Sequence, residues 1–426
     1  MSSAGMPSGI WEELQSEGPE LFMYWLCLFG LIYVSIFLAH RYVLFSIDQI
    51  GKKLNLDSIG AKSFLFSLGL LNVPLALVMW DRNVTEPIDY EVVGSVSIAG
   101  LSVLAGFTIV MNVNKERVGM DLMRHHILFL VLSVIVFPII EYTVAFSRLL
   151  GLGMIAVYAM YVYMLLDKGM GSATVLNSSS LEEELDPSNW LLKLVDQLMF
   201  ATWMPEDPSV LSIILSPVAL VAGVGLAIGQ VSLKMVIAGS LAAGAIILLI
   251  GPGAKKGSNI RYIYAYVCQA IWLNIVGMAL FEMLLGWLND KAVTQSNVLT
   301  STLYAWKYCY PSALVIMAAL ARGQYRLALS FSLAIPIHNS LCNYGLVLLV
   351  KAPQVFKHSI ANIYTTVFFI TEIVLLFMNT EIRSGFFEKE VGVLLGILYF
   401  MYLICLFFSP IEFDFSKTKP VFKKGR

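Results

Sequence analysis

The chain has 426 residues, of which 58% are hydrophobic and only 13% charged, with a formal net charge of −1 and a mean hydropathy of +0.77. Soluble domains carry about 25% charged residues, so this composition excludes a soluble globular protein and describes a polytopic membrane protein whose first partner is the lipid bilayer. A net charge near zero offers nothing to nucleic acid. Cys27, Cys268, Cys309, Cys342 and Cys405 all lie in apolar stretches without a CxxC pair, which offers neither a disulfide framework nor a zinc site.

In chain order, the N-terminal tail 1–20 carries Glu12, Glu13, Glu17 and Glu20 and no Lys or Arg, so neither an Arg-rich transit peptide nor a basic signal-peptide start is expected. Hydropathy windows predict about twelve transmembrane helices, an all-α polytopic architecture: 21–39, 61–80, 93–113, 127–146, 149–166, 209–229, 231–251, 261–286, 297–321, 327–350, 359–379 and 391–409. One long hydrophilic stretch, 167–208, holds the acidic run Leu181–Asp186. Behind that run, Leu191, Leu192, Leu194, Val195, Leu198 and Met199 recur at helical spacing, which fits an interfacial helix or a simple lead-in to the sixth span. A basic tail, 410–426, closes the chain. Positive charge favours an outside N-terminus, with His40, Arg41, Lys52, Lys53, Arg322 and Arg326 on inner loops and Asn83-Val-Thr85 as an outer glycosylation acceptor; the basic tail then ends on the wrong side.

The spans at 297–321 and 327–350 carry polar residues where lipid would sit. Lys307, Tyr308, Cys309 and Pro311 stand in the middle of the first, and Pro336, His338, Asn339 and Asn343 in the middle of the second. Such groups persist at mid-depth only where protein or water lines the helix.

Leu303-Tyr-Ala-Trp306, the turn Leu320-Ala-Arg-Gly323 and Pro336-Ile-His-Asn339 follow, without a gap, a pattern that reads LLAW, then ARG, then PxFN. Ala270-Ile-Trp-Leu-Asn274 follows an AxWxN pattern one helix earlier. Lys52-Lys-Leu-Asn-Leu56, Ala61 to Leu77, Gly94, Ala99-Gly100 and Tyr158-Ala-Met-Tyr-Val162 follow the matching pattern of a first repeat. In these motifs the chain resembles the cation/calcium exchanger superfamily, and within it the mitochondrial-type sodium/lithium/calcium exchanger branch. The resemblance implies an inverted five-plus-five repeat, with units at 21–166 and 261–409 joined by two linking spans at 209–251. The seven-span offset between the units inverts the second relative to the first.

The chemistry of that family does not carry over. Its Asn and acidic positions fall on Leu70 and Pro74 in the first repeat, and on Tyr308 and Ser312 in the second, with Lys307 and Cys309 beside them; a further acidic position falls on Ala279. Calcium takes six to eight oxygen ligands with carboxylates among them, and this set does not supply them. Lys307 lies roughly 12 Å from the nearer interface. Its ammonium either stands in for the missing cation or forms a buried salt bridge, and a neutral lysine is the third reading. Intramembrane acids are Glu282, the first choice of partner for Lys307, then Glu372 and Glu141. Pro74 and Pro311 remove hydrogen bonds to the carbonyls of Leu70 and Lys307. The opened carbonyls can bind a monovalent cation or water weakly, or are kinks outliving a decayed site. His338, beside Asn339, is a packing histidine or a pH sensor. The function so implied is membrane transport of the sodium/calcium exchanger type by descent, with the usual site altered or lost. The alternative is a non-transporting pseudo-exchanger that binds or regulates a protein partner in the membrane. A monovalent cation or a proton remains as substrate. No nucleophile, metal cluster or nucleotide loop points to an enzyme, and no cofactor is implied.

Overall fold

A computed structural model describes residues 24–54, 56, 58–71, 90–112, 116–142, 147–167, 259–290, 297–350 and 360–408. The N-terminal tail, the stretch 168–258 with its interfacial-helix and linking-span expectations, Pro74, Asn83 and the basic tail lie outside the described residues. The described residues form α1 (24–53), α2 (59–71), α3 (90–110), α4 (Met120–Tyr142), α5 (Ser147–Asp167), α6 (Asn259–Asp290), α7 (Asn297–Ala321), α8 (325–350), α9 (Ile360–Arg383) and α10 (Lys389–Phe408), with no strand among them. Among the described residues, four stretches are long and apolar enough to cross a bilayer by themselves: Tyr24–Lys52, Arg148–Leu166, Ile363–Arg383 and Lys389–Phe408. Outward faces such as Ile363, Val367, Ile370, Val374 and Phe377 of α9 are exposed and apolar, as lipid-facing surfaces are. The chain is an integral membrane protein.

Ten of the twelve expected spans have a helix among the described residues, and the first runs furthest past its expected end. His40 and Arg41, read from hydropathy as the first inner loop, stand inside α1. Polar residues beyond position 39 end the hydropathy window, yet the helix continues, and Arg41, Ser46 and Asp48 there find protein partners. Arg41 lies over the rings of Phe37 and Tyr42, 5.7 Å from each centroid. Ser46 Oγ donates to Gln269 Oε1. Asp48 is held between Lys62 Nζ at 2.7 Å and Lys52 Nζ at 2.8 Å. The α2 N-terminus is capped by Ser58, whose side chain accepts from Ala61 N at 3.1 Å. Serines within apolar helices satisfy themselves against the preceding turn: Ser67 Oγ donates to the Ser63 carbonyl, and Ser332 Oγ to that of Ala328.

Four helices widen into π-turns, at Leu38–Val43, Ser67–Leu71, Ala99–Ala105 and His338–Asn343. Such turns leave carbonyls without their α-helical donors and are frequent at functional sites. The α8 turn begins at His338, two residues after Pro336, which has no N–H to continue the ladder.

Packing is reciprocal between the first five helices and the last five. α1 lies antiparallel to α6: Tyr24 OH donates to the Met283 carbonyl at 2.8 Å, while Ser46 meets Gln269. α2 packs on α8 and α7 on α3; α3 packs on α8, and α4 on α9. α5 meets α8 where Gly151 faces Gly345, and α10 meets α3 where Gly392 faces Gly106. One end of the bundle gathers Leu54, Leu56 and Ser58, the segment 116–119, the 384–388 loop and the 322–324 turn. There Val118 N donates to the Gly385 carbonyl at 3.0 Å, Arg326 lies 3.5 Å from Glu116, and Leu165, near the end of α5, covers Gly60. Single cysteines at positions 53 and 323 should therefore label from the same side of the membrane in sealed vesicles. Labelling from opposite sides would contradict this arrangement of α1 and α7.

Candidate functional site

Where α2 opens, at Ser67–Leu71, α6, α7 and α8 close around it. The carbonyl of Leu71 accepts from Asn343 Nδ2 at 2.8 Å, and that of Leu70 from Asn274 Nδ2 at 3.4 Å. Asn274 Nδ2 also donates to the Ala270 carbonyl of its own helix at 2.8 Å, and Asn343 Nδ2 to Asn339 Oδ1 at 2.8 Å. A carbonyl only accepts, so each amide must present its NH2 here, and its own oxygen turns elsewhere. Both oxygens, Oδ1 of Asn274 and Oδ1 of Asn343, are buried without a hydrogen-bond partner among the described residues, as is the hydroxyl of Ser312 on α7. Amide nitrogens thus occupy the two carbonyls at the end of the opened turn.

On α7, consecutive side chains are spent on different neighbours. Trp306 Nε1 donates to Tyr399 OH of α10 at 3.1 Å, and Cys309 Sγ points to the Val96 carbonyl of α3 at 3.8 Å. Tyr310 OH meets Ser35 Oγ of α1 at 2.7 Å, and Pro311 lies against Gly277 of α6, where an added Cβ would come within 3.2 Å of its ring. Lys307 is 6% exposed in the middle of this helix, and Tyr308 is half-buried. Glu282 stands about two turns before the end of α6, and Lys307 under three turns after the start of α7, so the two positions share a depth on packed helices. The Glu282 side chain lies outside the described residues. Glu141 is the penultimate residue of α4, at the end of the helix.

The other expected positions separate. His338 Nδ1 meets Tyr158 OH of α5 at 2.6 Å, with the rings edge to face at 5.0 Å. Glu372 is on α9 and bonds to Ser102 of α3, away from the α2 turn. Leu70 is buried and apolar, contributing only its carbonyl. Among the described residues no group of three or more His, Cys, Asp or Glu side chains gathers to hold a metal.

Sequence reasoning missed two buried clusters. His126 Nδ1 meets Tyr161 OH at 3.0 Å and its Nε2 meets Ser330 Oγ at 2.9 Å; Ser330 Oγ in turn meets Ser63 Oγ at 2.6 Å, so one chain of hydrogen bonds joins α5, α4, α8 and α2. His125 stacks on Tyr161 at 5.2 Å. The hydropathy window for α4 opened at residue 127 and left both histidines outside; their adjacency before an apolar run was the available signal. The second cluster is Asp48 with Lys62, for which the lysine inside the apolar stretch AKSFLF was the clue.

No protein-family model matches the chain, and no curated protein matches it significantly. Solved structures do. The sodium-calcium exchanger NCX_Mj soaked with 10 mM Na+ and zero Ca2+ superposes with a TM-score of 0.54 at 11% identity, covering 90% of this chain and 98% of that one. The same exchanger with 2.5 mM Na+ and 10 mM Sr2+ gives 0.54 at 12% identity, covering 88% and 97%, and with zero Na+ and Ca2+ it gives 0.54 at 11%, covering 90% and 99%. At this identity the likeness is one of fold.

Proposed function

We propose that the chain is a membrane transport protein of the sodium/calcium exchanger type, from the branch resembling the mitochondrial sodium/lithium/calcium exchangers, whose central site no longer takes calcium. Its architecture on this reading is an inverted five-plus-five repeat, α1–α5 against α6–α10. Support comes from the antiparallel α1 and α6 and from two glycine crossings, Gly151–Gly345 and Gly106–Gly392, at opposite ends of the bundle. α5 ends and α6 begins at the same end of the bundle, as the expected repeat requires.

The observation that carries the altered site is the pair of amide caps. Asn274 and Asn343 fill the carbonyls of Leu70 and Leu71, and the family-like motif on α7 puts Lys307, Tyr308, Cys309 and Ser312 at the matching positions. Neutral oxygens suit a monovalent cation, water or the lysine ammonium in a cation's place, not a divalent ion that wants carboxylates. Micromolar Ca2+ should leave the melting temperature of the purified protein unchanged, because only a ligand that binds the native state raises stability by mass action. A clear calcium shift overturns the altered site. The same caps also favour a second reading, a non-transporting pseudo-exchanger that binds or regulates a protein partner. Ion flux in reconstituted liposomes separates the two: movement of sodium or protons above the protein-free rate supports transport, and its absence supports the second reading.

A further inference from the structure

Of the described acids, Glu372 alone is 0% exposed, and it stands at the midpoint of α9. One of its carboxyl oxygens accepts a hydrogen bond from Ser102, inside the π-turn Ala99–Ala105 of α3. The other, Oε2, meets no hydrogen-bond partner among the described residues. The titratable groups on the helices packed against α9 are committed or remote; those of α3, Tyr90 and Glu91, stand at its start, about three turns from Ser102. On α4, Arg124 forms a two-pronged pair with Glu381 at 2.7 and 2.8 Å, His125 bonds the Tyr161 carbonyl and His126 bonds Tyr161 and Ser330. Asp121 lies at the start of α4 and Glu141 near its end. On α10, Tyr399 accepts from Trp306, Tyr402 meets Ser95 and Thr365, and Lys389 and Glu390 lie at the start. α9 itself carries Tyr364 near its start and Arg383 at its end.

A carboxylate at mid-depth needs a counter-charge or water, and one hydroxyl is neither. A carboxylic acid is neutral and keeps an acceptor oxygen for Ser102. We propose that Glu372 is the proton-carrying site of this chain, loaded in the arrangement described, with the α3 π-turn as its seat. The proposal rests on the transport reading and names its substrate as the proton. Loading forms one O–H bond at Oε2 and consumes one proton from water; unloading breaks that bond and returns the proton to water when α9 and α3 part. Ser102 donates to the other oxygen while the site is loaded, and that bond too is exchanged for water as α9 and α3 part. The acid missing from the central repeats is thereby supplied from outside them, by a helix that carries none of the family-like motifs.

Two measurements on the full chain test this. Infrared spectra of wild type and Glu372→Gln should differ by the carbonyl stretch of a protonated carboxylic acid, present only in wild type. In liposomes holding a pH-sensitive dye, with the potential clamped by valinomycin and potassium, wild type should dissipate an imposed pH gradient, and Glu372→Gln should fall to the protein-free rate with an unchanged melting temperature. A missing acid band, or proton movement by Glu372→Gln at the wild-type rate, overturns the proposal. Sodium flux without proton flux in wild type overturns the proton role and leaves the transport reading standing. A wild type that moves no ion sinks the transport reading and the carrying role together, whatever the infrared band reports. Should Glu372→Gln not fold, Ser102→Ala serves in its place: removing the donor should shift the acid band, and an unshifted band refutes the assignment.

Discussion

Lys307→Ala is expected to destabilise the protein by about 3–5 kcal/mol, the range measured when one partner of a buried ion pair is removed. The lysine is 6% exposed at mid-depth on α7, where an ammonium is tolerated only with a compensating partner. Glu282, at matching depth on the adjoining α6, is the carboxylate we assign to it. Adding Glu282→Gln to Lys307→Ala should therefore recover part of the loss, since it removes the carboxylate left alone. Added Na+ should stabilise the single mutant and leave wild type unchanged if the ammonium fills the place of a cation. Thermal melts in detergent across NaCl and choline chloride read all three outcomes. A single mutant as stable as wild type and indifferent to the salt would make Lys307 a hydrated lysine in a wet crevice and end its role as a cation substitute.

Gly392→Val should be comparably damaging, for a steric reason. An added Cβ at Gly392 would lie 2.5 Å from the Gly106 carbonyl oxygen and 2.8 Å from Val110 Cγ2. The obstacle is backbone, which cannot rotate away as a side chain can, so α10 must lift off α3. Overpacking typically costs about 1–3 kcal/mol and more when the backbone must move. Gly396 supplies an internal control on the same helix, because nothing lies within 4 Å of its hypothetical Cβ. Gly396→Ala should be neutral or stabilise by up to about 1 kcal/mol through helix propensity. Melting curves of the two variants that failed to diverge would remove the crossing as a point of close contact.

The helices themselves were legible because lipid imposes length and apolarity, and a window sees both. α7 matches its expected bounds, Asn297–Ala321, residue for residue. Polar residues at mid-depth also announced themselves: Lys307, His338 and Asn343 are all buried. What their atoms do was not legible. Asn343 reads as a polar intrusion, but that its NH2 caps the Leu71 carbonyl depends on α2 opening a helix away. His126 and Asp48 were missed because a window average penalises polar groups whose partners, Tyr161, Ser330 and Lys62, arrive from elsewhere in the fold. The π-turns left no signal, since one extra residue hardly disturbs an apolar pattern that is nearly continuous.

That extra residue has a consequence for α8. The helix keeps two appointments, one on each side of the turn His338–Asn343: Ile335 and Pro336 lie against Gly100 before it, and Gly345 lies against Gly151 after it. Each residue advances a helix by about 100°, so the turn acts as a phase shifter between two docking faces. A one-residue deletion there would let the turn close as an ordinary α-helix and still bring Gly345 round to the wrong azimuth. Bulkier neighbours would then confront α5. The spacing between the two faces, more than the identity of the residues that fill it, is what the rest of the bundle reads from this helix.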